Sequence, residues 1–284
     1  MNKHKIYQHL SGRLGNQLFQ WAYSHQLNSC HHSLVIPFHD KSHSVRGYTG
    51  NLGSLLKPCA HVGEVRDINS LGFLLKALDK LRRNHFELAK KIELFLRIIR
   101  TNHHFEIPIM GKNKPRVVTG FFVNWKSTSG VEEILASELK ESFKHVATPR
   151  GLAQEYQVIH VRRGDFLEHK DTYGILHPSY YLRNMVPHLE TYICTDDKDM
   201  AGDIQEFIEA KRIFGPDDLN PIEALKLMAN SSSLLMANST LSWWAGFYCS
   251  RIGGRVVIPK PFYKAEELGT LFHPEFTAVP AVFY

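Results

Sequence analysis

The 284-residue chain has no long apolar run, no paired cysteines and no internal repeat. Because a membrane-spanning helix needs about 20 consecutive apolar residues, the sequence predicts no such helix. The N-terminus also lacks the apolar core of a signal peptide, which indicates a cytoplasmic protein. The cysteines form no Cys-x-x-Cys pair, so we expect buried, reduced thiols at Cys30, Cys59, Cys194 and Cys249.

The composition is that of a globular protein with a basic charge balance. Hydrophobic residues make up 43% and charged residues 22%, and the length suits one large domain or two ordinary ones. A net charge of +6 and a pI near 9.0 favour an anionic partner. Charge alone does not distinguish a nucleic acid from a nucleotide or a membrane surface.

The second half of the chain alternates strand and helix patterns regularly. Short strands between helices of about ten residues predict a parallel, doubly wound α/β sheet. One of the helices begins at Pro221, directly after a candidate N-cap, Asn220. The predicted strands are 156–161, 191–194, 212–214, 233–236 and, as the last strand, 255–259; the predicted helices begin at Pro178 or cover 198–209, 221–229 and 241–251.

The first half is less regular. It is predicted to contain a strand at 6–10, a helix at 18–27, a strand at 35–37, mostly loop at 38–70, a strongly helical stretch at 71–100 and a strand at 116–122. The regular alternation begins just after Thr148-Pro149-Arg150-Gly151. We therefore predict two domains, residues 1–150 and 151–284.

Two arginines follow the predicted strand at 156–161. Arg162 and Arg163 project from its carboxyl end, where open α/β sheets bind their ligands. A guanidinium is always charged, and its planar fork matches the oxygens of a phosphate or carboxylate. Gly164 permits a turn, and Asp165 can hold one arginine in place. The pattern predicts an anion site, with a surface ion pair as the alternative.

Two further loops combine a helix start with groups suited to phosphate. Gly15 and Asn16 precede the first helix, and the N-terminus of a helix offers free N–H groups to an anion. Their glycine spacing is not the dinucleotide fingerprint. Ser239, Thr240 and Ser242 bring hydroxyl donors to the start of a later helix. A tight turn or an N-cap is the alternative in each case.

A pair of aspartates follows the predicted strand at 191–194. A carboxylate in this loop can accept two hydrogen bonds, from an N1–H and an exocyclic amine, the edge that guanine presents. Asp197-Lys198-Asp199 also has the Asp-x-Asp spacing of a metal site. We discount a metal because Mg²⁺ sites place carboxylates beside other oxygen ligands. N-capping by Asp196 or Asp197 remains the alternative.

Three strings of the sequence resemble the motifs of the α-1,2-fucosyltransferase family, in the family's order. They are Gly-Arg-Leu-Gly-Asn-Gln-Leu-Phe-Gln-Trp-Ala at 12–22, His-Val-Arg-Arg-Gly-Asp-Phe at 160–166 and Asn-Ser-Thr-Leu-Ser-Trp-Trp-Ala-Gly at 238–246. The departures are mild. Phe166 stands for the usual Tyr, Leu241 for a usual Phe, and the first loop has Arg13 in place of a longer glycine run.

This resemblance implies a GT-B architecture, with two Rossmann-like domains facing a cleft. The 1–150 domain would be mainly acceptor-side, and the 151–284 domain would bind GDP-fucose. The family transfers L-fucose from GDP-β-L-fucose, with inversion and without metal, to the 2-hydroxyl of a terminal β-galactose. No cofactor is implied beyond this donor. With no export signal recognised, we expect a bacterial enzyme of surface-polysaccharide (O-antigen or capsule) synthesis.

The resemblance also implies roles for individual residues. Arg162 is implied to stabilise the charge that develops on the β-phosphate, with Asp165 as the second catalytic residue. Arg163 would orient the loop through Asp165. The implied donor-binding set is Gly15, Asn16, His160, Arg162, Arg163, Asp197, Asn238, Ser239, Thr240 and Ser242, with His160 and Asp197 near guanine. Candidates for the general base are Asp165, Glu168, Asp171, Asp40 and the histidines of the first half.

The helical stretch at 71–100 carries eight Lys or Arg residues against three acids. Interleaved with leucines, it could lie on an anionic membrane and meet a lipid-linked glycan, or be a solvated helix face. His39 and His43 have a His-x-x-x-His spacing but fall in predicted loop, so no metal site is predicted. Two rival functions stay open: a fucosyltransferase of another linkage, and a non-catalytic module that binds nucleotide or RNA. We expect no nucleic-acid partner, because the aromatic residues fall in predicted helices.

Overall fold

Two parallel β-sheets organise the chain, one in each of two units. The computed structural model describes residues 4–39, 52–57, 62–101, 105–108, 114–197, 208–265 and 269–284. The units are Met1–Glu138 and Leu139–Tyr284, and they divide within a helix, Glu132–Phe143. Outside the described residues lie Asp40, His43, Cys59, Lys198, Asp199 and most of the helix predicted at 198–209.

The sheet of the first unit has five parallel strands. They are β1 (Lys5–His9), β2 (Leu34–His39), β3 (Arg66–Asp67), β4 (Ile98–Arg100) and β5 (Val117–Thr119), in the order β3-β2-β1-β5-β4. The central strand β1 pairs with β2 on one side and β5 on the other. Alternate residues of a strand face opposite sides, so each side of the sheet needs its own cover.

Helices cover both faces of this sheet. The described helices of this part of the chain are α1 (Leu14–His31), α2 (Leu52–Leu55), α3 (Asn69–Asn84), α4 (Phe86–Phe95) and α5 (Glu132–Phe143), which continues into the second unit. Tyr23 and Leu27 of α1 pack with Ile6 on one face of the sheet. On the other face, Leu75 and Leu78 of α3 pack with Val117. The α1 helix ends at His31, and the next residue, His32, has a left-handed φ of 49° that stops the helix.

Several boundaries in the first unit differ from the prediction. The stretch at 71–100 is not one helix, since α3 ends at Asn84 and the last three residues form strand β4. Arg97, with a φ of 57°, turns the chain from α4 into that strand. The helix predicted at 18–27 begins earlier and ends later, and the stretch at 38–70 contains α2 and β3.

The sheet of the second unit has six parallel strands. They are β6 (Tyr156–Val161), β7 (Glu190–Thr195), β8 (Arg212–Phe214), β9 (Ser233–Leu235), β10 (Arg255–Lys260) and β11 (Thr277–Pro280). Their spatial order is β11-β10-β9-β6-β7-β8. Counted from β6, this is the 3-2-1-4-5-6 order of the Rossmann fold. The prediction of an α/β protein with two Rossmann-like halves, as in GT-B enzymes, is confirmed.

The helices of the second unit follow the sequence signals closely. Among the described residues that follow α5 they are α6 (Pro178–Leu182), α7 (Pro221–Ala229) and α8 (Thr240–Arg251). Asn220 caps α7 as predicted, because its side chain accepts from the N–H groups of Ile222 and Glu223 at 2.9 and 3.1 Å. In α8, Trp243 and Trp244 are fully buried. The Trp243 indole donates to the Leu271 carbonyl at 2.8 Å.

Two predictions for the second unit and the cysteines need correction. Strand β10 is not the last strand, because β11 pairs with it in parallel. The alternating apolar pattern of β11 is weak, and its residues are largely exposed. Cys194 and Cys249 are buried free thiols as expected, but Cys30 is exposed near the end of α1.

Candidate active site

The predicted site loops follow three neighbouring strands of the second sheet. Strand β6 pairs with β7 on one side and with β9 on the other. The order of the strands reverses between β6 and β9, and parallel sheets bind ligands at the carboxyl edge of such a switch point. The loops after these strands supply Arg162, Asp196 and Ser239. This edge is therefore where a ligand is expected.

Arg162 is held from three directions. One of its terminal nitrogens, Nη1, pairs with Oδ2 of Asp196 at 2.6 Å, and the other pairs with Asp165. The guanidinium carbon lies 5.4 Å from the centroid of the Phe166 ring. The Arg162 side chain is 16% exposed and that of Asp165 is 39% exposed. Arg162 is thus an oriented cation whose Asp165 partner faces solvent.

Asp196 links the loops after β6 and β7. Besides pairing with Arg162, it accepts the backbone N–H of Arg163 at 2.9 Å through Oδ1. A Cβ atom at Gly164 would lie 2.3 Å from Oδ2 of Asp196. Only glycine therefore leaves room for this carboxylate. Sequence reasoning considered Asp196 only as an N-cap and placed Arg163, rather than Arg162, against Asp165.

His160 lies in the interior at the end of β6. It is 4% exposed and stands opposite Cys194 in the register with β7. Burial, reinforced by the charge of Arg162, lowers the pKa of His160 to about 3. Its Nδ1 atom has no hydrogen-bond partner among the residues that the structure describes. His160 is therefore a neutral side chain at physiological pH.

The loop after β9 divides into buried and accessible groups. Ser239 and Thr240 are half-buried at the start of α8, and Ser239 makes no side-chain capping bond. Ser242 is buried and accepts the backbone N–H of Ala237 at 3.2 Å. Asn238 is also buried, and its Nδ2 donates to the carbonyls of residues 173 and 174 at 2.8 and 3.2 Å. Ser239 and Thr240 are the two hydroxyls left accessible there.

Aromatic rings lie on one side of Arg162. Phe166 stacks on Tyr173 with centroids 4.6 Å apart, and Tyr173 contacts Tyr263 at 5.1 Å. Asn238 fixes this wall by binding the Tyr173 carbonyl. Burial raises the pKa of the Tyr263 hydroxyl well above its ordinary value, so it stays protonated. These rings shield the guanidinium on one side and strengthen its charge interactions.

Asp197 sits in a local turn rather than against the arginine. Its N–H donates to Thr195 Oγ1 at 3.1 Å, and that hydroxyl in turn donates to the Asp197 carbonyl at 3.3 Å. Glu168 and Asp171 are exposed in the loop after Arg162. In the parts of the chain that the structure describes, no group of three His, Cys, Asp or Glu side chains is placed to hold a metal ion.

Gly15 and Asn16 belong to the first unit. Gly15 is buried in the first turn of α1, and the backbone N–H of Asn16 donates to the Arg13 carbonyl at 2.9 Å. Gln17 closes the loop by donating to the Gly12 carbonyl at 2.9 Å. The Asn16 amide is thus already hydrogen-bonded within its own loop.

Comparison with known proteins identifies the family. The model named "Glycosyl transferase family 11" matches residues 98–278, which is more than half of the chain and includes all three loops of the second sheet. The chain belongs to glycosyl transferase family 11. This membership confirms the family resemblance seen in the motifs. The motif at 12–22 lies outside the matched range.

Individual relatives of this family 11 chain are distant. An "Alpha-1,2-colitosyltransferase" of Escherichia coli is 25% identical over 127 residues, which are 39% of this chain and 42% of that protein. The chain thus aligns with less than half of that relative's length. A family 9 glycosyl transferase from Veillonella parvula has the same fold, with a TM-score of 0.52 at 12% identity over 99% of this chain and 88% of the other. Fucosyltransferase NodZ from Bradyrhizobium gives a TM-score of 0.46 at 10% identity, over 86% of this chain and 92% of the other.

The second unit of this family 11 chain brings part of the predicted set together. The structure places Arg162, Arg163 and Asp165 in one loop, with Asp196 bound to it. Asn238 connects the loop after β9 to the chain that follows the arginine loop, because its side chain donates to the carbonyls of residues 173 and 174. Sequence reasoning missed the roles of Tyr173 and Tyr263, which no local pattern marks.

Proposed function

We propose that this family 11 chain transfers L-fucose from GDP-β-L-fucose, with inversion and without metal, to the 2-hydroxyl of a terminal β-galactose. The observation that carries the proposal is Arg162, an oriented guanidinium at the switch point of a Rossmann sheet. Membership of a glycosyl transferase family supports a sugar donor. The "Alpha-1,2" in the name of the Escherichia coli relative supports the linkage.

The reaction needs charge stabilisation at the leaving group. Breaking the bond between fucose and phosphate leaves an extra negative charge on the β-phosphate of GDP. Arg162 is proposed to bind that phosphate, held in place beforehand by Asp196 and Asp165, so that little reorganisation is needed. The hydroxyls of Ser239 and Thr240 and the N-terminus of α8 would donate to the same diphosphate.

The remaining residues of the implied donor-binding set have different roles in this proposal. Asp197 is proposed to accept from guanine, and His160 to line that region as a neutral group because its pKa is lowered to about 3. Arg163, Asn238 and Ser242 are proposed to position the loops rather than contact phosphate, since all three are buried. Gly15 and Asn16 are proposed to contribute from the first unit.

A second candidate donor is a colitosyl nucleotide, because the relative from Escherichia coli bears that name. Colitose is fucose without its 3-hydroxyl, so the two donors would need the same diphosphate site. They would differ only where the site contacts the sugar. Comparing GDP-fucose with GDP-colitose at equal concentration separates the two candidates.

We also propose that the chain works in the cytoplasm, against the inner membrane, on a lipid-linked surface polysaccharide. No helix among the described residues is long and apolar enough to cross a membrane. The pair α3–α4, however, exposes Phe73, Leu94 and Phe95 at 76%, 78% and 86%. Exposed lysines and arginines lie on the same two helices: Lys80, Arg83, Lys90 and Lys91. Aromatic and basic side chains together favour an anionic lipid surface.

Vesicle flotation tests this membrane contact. Wild type is expected to float with vesicles containing phosphatidylglycerol and not with neutral ones. The double variant Lys90→Glu/Lys91→Glu should lose binding, whereas Lys144→Glu, in the second unit, should keep it. Failure of wild type to bind anionic vesicles would contradict the proposal.

A transfer assay tests the function itself. GDP release from GDP-fucose should require a β-galactoside acceptor and persist in excess EDTA, and the product should show an α-1,2 linkage by NMR. Hydrolysis without acceptor, a different linkage or dependence on added Mg²⁺ would contradict the corresponding part of the proposal.

A further inference from the structure

A cavity lies wholly within the first unit, at the carboxyl edge of its sheet. Three of its lining residues, His9, Arg100 and Thr119, are the last residues of β1, β4 and β5. Sheet order β3-β2-β1-β5-β4 reverses between β1 and β5, so this edge is also a switch point. The cavity has a volume of about 180 Å³, below the roughly 300–1,000 Å³ of pockets for drug-sized ligands. That volume suits one monosaccharide rather than a nucleotide.

A buried amide fixes the two loops that border the cavity. Gln20 is fully buried, and its Oε1 accepts the N–H of Ser11 at 3.0 Å. Its Nε2 donates to the carbonyl of Gly120 at 2.9 Å. The backbone of Gln20 is held in turn by Gln8, whose Nε2 donates to its carbonyl at 2.6 Å. Loops anchored by a buried polar network are rigid, which favours a preformed binding site.

The backbone beside the cavity is strained. Phe122 has a φ of 53°, a left-handed conformation that costs a non-glycine residue about 1–2 kcal/mol. Its ring is fully buried and stacks on Tyr23 at 4.1 Å, which holds the conformation in place. The preceding Phe121 then lines the cavity, and a Cβ at Gly12 would lie 2.9 Å from its ring. The strain thus serves to place one aromatic ring at the cavity.

The charges at the cavity are largely compensated. Arg100 donates to Glu93 at 2.7 Å and pairs with Asp79 at 2.5 Å. Glu93, 5% exposed, also accepts from Arg82 at 2.6 Å. Arg100 therefore offers hydrogen bonds with its charge already balanced. Arg100 and Asp79 thus present both donors and acceptors at the cavity, and these can hydrogen-bond the hydroxyls of an uncharged ligand.

We propose that this cavity binds one neutral pyranose residue of the acceptor glycan. Phe121 would pack against the apolar face of the sugar ring, and Asp79 and Arg100 would hydrogen-bond its hydroxyls. The cavity combines an apolar wall with a few fixed polar groups, as small-ligand sites do. Calling that sugar part of the acceptor rests on the proposed function.

Saturation-transfer NMR with methyl β-D-galactopyranoside tests the proposal on the full chain. Wild type should show binding, and Phe121→Ala should weaken it at least tenfold. Phe121→Leu, which keeps apolar volume without the ring, should also lose most of it. The matched control is Ile134→Ala, because Ile134 is an exposed apolar residue of α5, and it should bind as wild type does.

The outcomes separate this proposal from the transfer reaction. Far-UV circular dichroism and thermal unfolding should be equal in all four proteins, which shows that each is folded, and GDP binding measured by calorimetry should be equal as well. Loss of sugar binding in both Phe121 variants supports the cavity even if no fucose is transferred. Sugar binding unchanged by these variants, or absent from wild type, would overturn it even if transfer is observed.

Discussion

Buried His160 should make the second unit sensitive to acid. Its pKa is about 3 in the folded protein, against an ordinary value of 6.5. Below pH 6.5 the His160 imidazole is protonated in the unfolded chain, whereas in the folded chain it stays neutral down to about pH 3. The contribution of neutral His160 to the free energy of unfolding is therefore fully present above pH 6.5, and it is lost as the pH decreases towards 3. At pH 4.5, two units below 6.5, the loss is about 3 kcal/mol, at about 1.4 kcal/mol per unit.

The variant His160→Gln removes the titrating group and should remove this loss. Urea unfolding is measured at pH 7.5 and 4.5 for both proteins, in a background where Trp21 and Trp125 are replaced by phenylalanine. The fluorescence then reports Trp243 and Trp244, which are buried in the second unit. Carboxylates and other histidines titrate in both proteins, so their contributions cancel when the two pH dependences are subtracted.

The expected result is a pH dependence about 3 kcal/mol smaller in His160→Gln than in wild type. The variant's stability at pH 7.5 does not enter this comparison. Equal pH dependences in the two proteins would refute the argument, because they would mean that His160 is protonated in the folded state near pH 6.

Three further substitutions test the packing of both units. Gly164→Ala should cost about 1–3 kcal/mol and weaken GDP binding, seen by thermal unfolding and calorimetry, because the new Cβ would meet Asp196. Asn238→Ala should lower urea stability by about 1–3 kcal/mol, since it removes the hydrogen bonds that Nδ2 donates to the carbonyls of Tyr173 and Gly174. Glu93→Gln should lower stability by about 3 kcal/mol, because two arginines lose their buried carboxylate, while Glu141→Gln at an exposed pair should change it by less than about 1 kcal/mol. Near-wild-type values for the first three would contradict the contacts described.

Much of the second unit could be predicted because its signals are local. Strand β6 has four apolar or aromatic residues in its six positions and is buried throughout. Asn220 and Pro221 mark the start of α7 because a capping side chain and a proline act within one helical turn. Strand β11 was missed because it lies at the sheet edge, where exposed residues give no apolar alternation.

The candidate site was harder to predict because its contacts are long-range. The choice of Asp196 over Asp197 depends on the turn that Thr195 makes after β7, and on the space left by Gly164. The break in the stretch at 71–100 depends on pairing between β4 and β5. The basic and apolar residues at 71–100 favour helix throughout, but the last three form a strand because they pair with β5. Such tertiary preferences override local propensity.

Calorimetric titration with GDP-fucose, in EDTA, of wild type, Arg162→Ala and Arg212→Ala tests the central claim most directly. Arg212 is a half-exposed arginine at the start of the edge strand β8 and serves as the control. We predict binding by wild type and by Arg212→Ala, and about 100-fold weaker binding by Arg162→Ala, which corresponds to about 3 kcal/mol of charge-assisted hydrogen bonding. Equal affinity in Arg162→Ala and wild type would contradict the assignment of the GDP-sugar site to this edge of the second sheet.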